Sequence, residues 1–139
     1  MVVGEHAHVV DTKNRMFLPS KFREAFGEVV YMTKSVDSCI SVYPAAAWEE
    51  LSEKINSLPG TYSREYRRHF FSSASEAHID SAGRILLPQN LREYAAIEKN
   101  VMVVGVGKFA EIWDSEKYAT HNEAVNQSDM EKMAIELGV

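Results

Sequence analysis

The apolar positions of this chain change period several times, and each change marks an element. Val9-Val10 and Met16-Phe17-Leu18 are β-prone runs on either side of the polar stretch "DTKN", which predicts two strands around a turn. In "PSKFREAFG" the period becomes helical: Phe22 and Phe26 stand four apart, Pro19 suits the first turn and Gly27 the stop. "VVYMTK" (29 to 34) and "CISVYP" (39 to 44) read as strands. Pro44 then opens a helix whose stripe is Trp48, Leu51, Ile55 and Leu58, broken at Pro59-Gly60. Tyr62, Tyr66 and Phe70, at i, i+4 and i+8, predict a connecting helix.

The same pattern is then written again. Asp80, Arg84, Pro88, Arg92 and Glu93 fall sixty-nine residues after Asp11, Arg15, Pro19, Arg23 and Glu24. "PQNLREYAAI" predicts a second short helix on Leu91, Tyr94 or Ala95, and Ile97, while "VMVVGV" (101 to 106) and "AEIWDS" (110 to 115) match the two earlier strands. Asp114 is a good N-cap for "SEKYATHNEAV", and Ser128 with Glu131 forms a capping-box pattern for a last helix. Repeats of this kind point to duplicated supersecondary units. The fold class is α+β, in two similar halves, residues 1–65 and 66–139, the second ending in a helical tail.

Composition narrows the function. At 139 residues, 45% hydrophobic and 25% charged, the chain suits one ordinary globular unit. No apolar run approaches the roughly 20 residues of a membrane span, and "MVVGEHAHVV" does not read as a signal peptide, so a cytoplasmic location is expected. Cys39 is the single cysteine, which excludes an internal disulfide and predicts a buried, inert thiol in "SCISV". His6 and His8 share a strand face, but no carboxylate or thiolate cluster joins them at ligand spacing, so no metal is expected. No phosphate-binding glycine loop, nucleophile elbow or H-E-x-x-H occurs, and "GVGK" reads as a hairpin turn; the chain is expected to be no enzyme and to need no cofactor.

Net charge is −5, which looks wrong for a nucleic-acid binder until it is mapped. Residues 110–139 carry seven acids against Lys117 and Lys132 and so hold the whole excess. In residues 11–23, Lys13, Arg15, Lys21 and Arg23 face only Asp11. A local basic patch matters more to DNA than the total does.

The D-x-x-x-R pattern at 11–15 and 80–84 is the strongest chemical signal. Asp11 and Asp80 entering a turn accept backbone N–H bonds, and Asn14 and Gly83 tolerate the left-handed backbone such turns need. Arg15 and Arg84 either pair with those acids or present a planar fork to phosphate or guanine, and both roles are compatible. A two-stranded ribbon is narrow enough to enter a major groove. Lys13 adds a cation to the first turn; Lys21 is a candidate for backbone support, and Arg23 and Arg92 for backbone support or for ion pairs with acids across the halves.

"HVVDTKNRMFLPSKFRE", "VYP", "FFSSASEAHIDSAGRILLPQNLREYA", "VGVG" and "EIWD" together resemble the MraZ family, related to AbrB-type swapped-hairpin DNA-binding proteins. The resemblance covers about residues 1–118, and Asn14 departs from the glycine usual at its place. It implies a pseudo-twofold barrel in which both hairpins belong to one chain, with the two turns on one side as paired readers. It implies a transcriptional regulator of the division and cell-wall gene cluster, nucleoid-associated, binding direct repeats in double-stranded promoter DNA as a homo-oligomeric ring. On that reading Arg15, Arg84 and Lys13 touch DNA, with neither membrane nor small-molecule substrate as partner. A scaffold whose repeated hairpins contact other proteins is the alternative, separable by its lack of salt-dependent DNA affinity.

Overall fold

The computed structural model describes residues 1–139. In chain order it contains β1 (Glu5–Val9), β2 (Arg15–Phe17), α1 (Ser20–Phe26), β3 (Val29–Lys34), β4 (Ile40–Pro44), α2 (Ala45–Asn56) and α3 (Tyr62–Ser72). There follow β5 (Ser75–His78), β6 (Arg84–Leu86), α4 (Gln89–Tyr94), β7 (Asn100–Gly105), β8 (Ala110–Asp114), α5 (Ser115–Glu123) and α6 (Gln127–Leu137). The fold is mixed α+β, with a six-stranded antiparallel sheet in the order β1-β7-β8-β4-β3-β5 and a separate ribbon, β2-β6.

The strands flanking each charged turn do not pair with each other, which corrects the expected hairpin ribbon. β1 pairs with β7 and β5 with β3, so the first strand of each half adds to the other half's sheet. The two-stranded ribbon is made between the halves instead: Arg15 lies opposite Leu86, Met16 opposite Ile85 and Phe17 opposite Arg84. β4 and β8, equivalent strands, join the halves at the middle of the large sheet. Exchanging the halves leaves this pattern of partners unchanged.

Alternation decides which side of each strand faces inward. Met16, Leu18, Ile85 and Leu87 point into one main core with Phe22, Leu91, Val30, Met32, Val101 and Val103. Burying side chains of this size contributes about 1.5–3 kcal/mol each. The short helices follow the expected spacing: Phe22 and Phe26 of α1 are buried, and in α4 the inward residue after Leu91 is Ala95 rather than Tyr94. Pro19 and Pro88 stand at the N-cap positions of α1 and α4, where extended backbone suits the residue before the first turn.

A smaller cluster sits beneath α2 and α3, where Trp48 stacks on Tyr31 and Phe70, and Tyr43 on Phe109. α3 links the halves as expected, but only Phe70 of its three-residue stripe is buried; Tyr62 and Tyr66 face solvent. α2 ends at Asn56, so Leu58 lies beyond the stripe it was expected to complete and is exposed. Asp114 caps α5 as expected, accepting from the Lys117 amide. α6 is capped by Asn126 instead of Ser128: Asn126 Oδ1 accepts from the amides of Ser128 and Asp129. No helix is long and apolar enough to cross a membrane.

Candidate nucleic-acid interface

Each charged turn is built around an aspartate. Asp11 Oδ1 accepts from the backbone N–H of Lys13 (2.9 Å) and of Arg15 (2.9 Å), while Oδ2 accepts from Arg15 Nε at 3.1 Å. Asp80 repeats the arrangement with the N–H groups of Ala82 (3.0 Å) and Arg84 (2.8 Å) and with Arg84 Nε at 2.9 Å. The amide bonds from Arg15 and Arg84 lead in holding the two carboxyls below the usual carboxylate range. Backbone bonds close the loops: Asp11 N–H donates to Arg15 O and Asn14 N–H to Asp11 O, while Asp80 N–H donates to Arg84 O and Gly83 N–H to Asp80 O. Asn14 and Gly83 take φ of 63° and 91°, the left-handed backbone expected of them.

The aspartate engages only one edge of each guanidinium. The Nη groups of Arg15 and Arg84 make no hydrogen bond within the chain, and about 30% of each side chain is exposed: 31% for Arg15 and 29% for Arg84. Pairing with aspartate therefore leaves the Nη groups of the same residue without a partner in the chain.

The ribbon decides where these side chains emerge. Residues directly opposite across an antiparallel pair share a face. Arg15, Phe17, Arg84 and Leu86 therefore leave from one face of β2-β6, while Met16 and Ile85, each 1% exposed, leave from the other. Arg15 and Arg84 occupy a diagonal of the outer face, with Cα atoms about 7–8 Å apart by the geometry of such pairs. The other diagonal is apolar: Phe17 is 49% and Leu86 57% exposed. The Arg84 guanidinium carbon lies 5.9 Å from the centre of the Phe17 ring. Cross-bonds between the halves tie the turns to the ribbon, Leu18 N–H donating to Gly83 O and Leu87 N–H to Asn14 O.

Lys13 is exposed at the tip of the first turn, and Lys21 is exposed on α1. Arg23 and Arg92 form none of the ion pairs expected of them. Arg92 Nε instead donates to Leu87 O at 3.0 Å. Arg23 lies across the second turn, where a Cβ built on Gly83 would meet its Nη1 at 2.0 Å, and its own buried Nε has no partner. Sequence reading missed Phe17 and Leu86 as members of this face. Period-two spacing puts Arg15 with Phe17 and Arg84 with Leu86, but only the pairing of β2 with β6 joins the two sets in one face.

The other candidates fall outside this surface. Cys39 is fully buried in the strand region, and burial pushes its thiol up to about 12. His6 packs edge-on against Phe22, with ring centres 5.1 Å apart. His8, on the same strand face, is held below its usual value by burial and by His6. No group of three or more His, Cys, Asp or Glu stands together as a metal site would require.

Comparison with known proteins gives one consistent result. The family model described as "MraZ protein, putative antitoxin-like" matches residues 1–67 and again residues 70–136. A transcriptional regulator MraZ of Clostridium acetobutylicum is 44% identical over 142 aligned residues, covering 100% of both chains. One from Heliobacterium modesticaldum is 45% identical over 125, covering 88% of this chain and 87% of its own. One from Clostridium tetani is 44% identical over 142, again covering 100% of both.

Proposed function

Because the chain belongs to the MraZ family, a family of regulators rather than enzymes, we propose that it is a sequence-specific double-stranded DNA-binding protein that regulates transcription. The observation that carries this reading is the outer face of β2-β6. Two guanidinium groups, each clamped through Nε by its own aspartate, leave that face with their Nη groups free. A guanidinium fixed in this way loses little freedom on binding, and its Nη pair suits bidentate contact to guanine or to phosphate. Arg15 and Arg84 are the principal DNA contacts, Lys13 adds a phosphate contact, and Asp11, Asp80, Asn14 and Gly83 shape the tips. Lys21 supports the DNA backbone from α1; Arg23 and Arg92 hold the turns.

The fold is an AbrB-type swapped-hairpin barrel, duplicated so that residues 1–65 and 66–139 are the two repeats of one pseudo-dimer. The crossed pairings of β1 with β7 and β5 with β3 support that assignment. With only a few cations on each hairpin, a single copy binds weakly, since electrostatic affinity scales with the phosphates neutralised. Several copies in a ring gain avidity, because later contacts become intramolecular. The targets are direct repeats spaced near one helical turn, ~10 bp, in the promoter of the division and cell-wall gene cluster, and the protein is cytoplasmic and nucleoid-associated.

Selection of bound sites from random duplex DNA by the full chain tests this. The expected result is an enriched short element, repeated at about 10 bp, whose affinity falls steeply between two salt concentrations. Recovery of no preferred element, with no salt dependence, overturns the reading in favour of a protein scaffold.

A further inference from the structure

α6 stands away from the body of the protein. None of its residues is buried, although both of its ends are capped, by the Asn126 side chain and by Gly138 in left-handed backbone. Met130, Met133, Ala134 and Leu137 fall at i, i+3, i+4 and i+7, one continuous apolar stripe along the helix. Acids border it on both sides: Asp129 and Glu136 stand four before and three after Met133, and Glu131 three before Ala134. An isolated helix of 11 residues is marginal in water, so this one requires something against its stripe.

The opposite surface is present in the same chain. Between α2, α3 and the β7–β8 turn lies a groove of about 410 Å³ whose apolar lining includes Leu51, Tyr66, Val106 and Phe109. Tyr66 and Val106 are among the exposed large apolar residues of the molecule. Lys54 and Lys108 stand at its rim, with Glu50 between them at 3.6 Å and 3.7 Å. The rim thus carries one net positive charge, and α6, with three acids and Lys132, two net negative ones.

We propose that the groove between α2, α3 and the β7–β8 turn receives α6 of a second copy of this chain. Apolarity and charge sign match, and within one chain the groove is open. The contact joins two different surfaces, so repeating it gives a ring where its rotation closes, and never a face-to-face pair. This deepens the oligomer of the proposed function and rests on it; it also assigns the acidic tail a role in assembly.

Light scattering coupled to size exclusion tests the seating with the full chain. Met133→Glu spoils the stripe and Val106→Glu the groove. Both positions are exposed, so far-ultraviolet circular dichroism of each variant should match the wild type. The wild type is expected to run as an oligomer, and each variant alone as one chain of 15.7 kDa. Mixed in equal amounts, the two should form a one-to-one complex, since one intact helix then meets one intact groove. If both variants keep the wild-type mass, the seating is wrong while the oligomer stands. A monomeric wild type removes both.

Discussion

The turns Asp11–Arg15 and Asp80–Arg84 share an aspartate scaffold to within 0.2 Å in every matched hydrogen bond, yet their surroundings differ. At the first tip Asn14 fills the left-handed position, and Lys13 adds an exposed cation. At the second, the same position is a glycine roofed by the Arg23 side chain from the other half, and Ala82 replaces the lysine. Arg92, the equivalent of Arg23, donates its Nε to a carbonyl, whereas Arg23 Nε has no acceptor. The difference separates what the scaffold demands from what each tip adds. Aspartate, left-handed backbone and arginine are required twice; the glycine at 83 answers its φ of 91°, with the movable end of Arg23 lying over it.

Three experiments bear on this comparison, beginning with the largest expected effect. Arg15→Ala and Arg84→Ala each remove a fork worth about 1–3 kcal/mol per bidentate contact, about 5- to 150-fold in affinity, with losses compounding across a ring. Titration of a selected site should show both losses. Only Arg84→Ala should also lower thermal stability through Phe17, by about 0.5–1 kcal/mol, the scale of an exposed cation–π contact. Normal operator binding by either variant removes that arginine from the interface.

Urea unfolding checks the roof. Gly83→Ala places a Cβ in left-handed backbone, beside the movable end of Arg23, and should cost about 1–2 kcal/mol. Asn14→Gly meets no such obstacle and should stay within about 0.5 kcal/mol of wild type. Asn14→Ala puts alanine in the same left-handed backbone, so a Gly83→Ala cost no larger than that of Asn14→Ala would show that Arg23 contributes nothing to the choice of glycine. The smallest effect belongs to the lysine. Lys13→Ala should flatten the slope of log affinity against log salt by about 0.9 per bound chain without altering the preferred sequence. Ala82→Lys should steepen it by the same amount.

Much of this was legible in the chain because it is local. Asp11 and Asp80 reach amides two and four residues ahead, and Phe22 and Phe26 lie one helical turn apart, so spacing alone predicts them. Partner choice is another matter. Nothing in Val9 or Val10 says that β1 will seek Val101 and Met102 rather than the strand just after the turn, because alternation fixes a face and leaves the neighbour open. The outer face of the ribbon was hidden for the same reason: Phe17 and Arg84 share it only once β2 and β6 have met. Asn126 displaced Ser128 as the cap of α6 because its side chain reaches the first free amides, one of them Ser128's own. Tyr62 and Tyr66 matched a helical stripe, but only the C-terminal end of α3 meets the sheet; there Thr33 Oγ1 donates to Phe70 O, and Ser73 Oγ donates to His69 O.

The exchange of first strands has a consequence for how the protein is made. β1 leaves the ribosome well before its only ladder partner, β7, which lies roughly ninety residues downstream. At a translation rate of about 5–20 residues per second, that leaves the nascent segment without its partner for roughly 5–20 s. The first of these strands in chain order is thus among the last to be zipped into the sheet, and the second half acts as the clasp that completes the first.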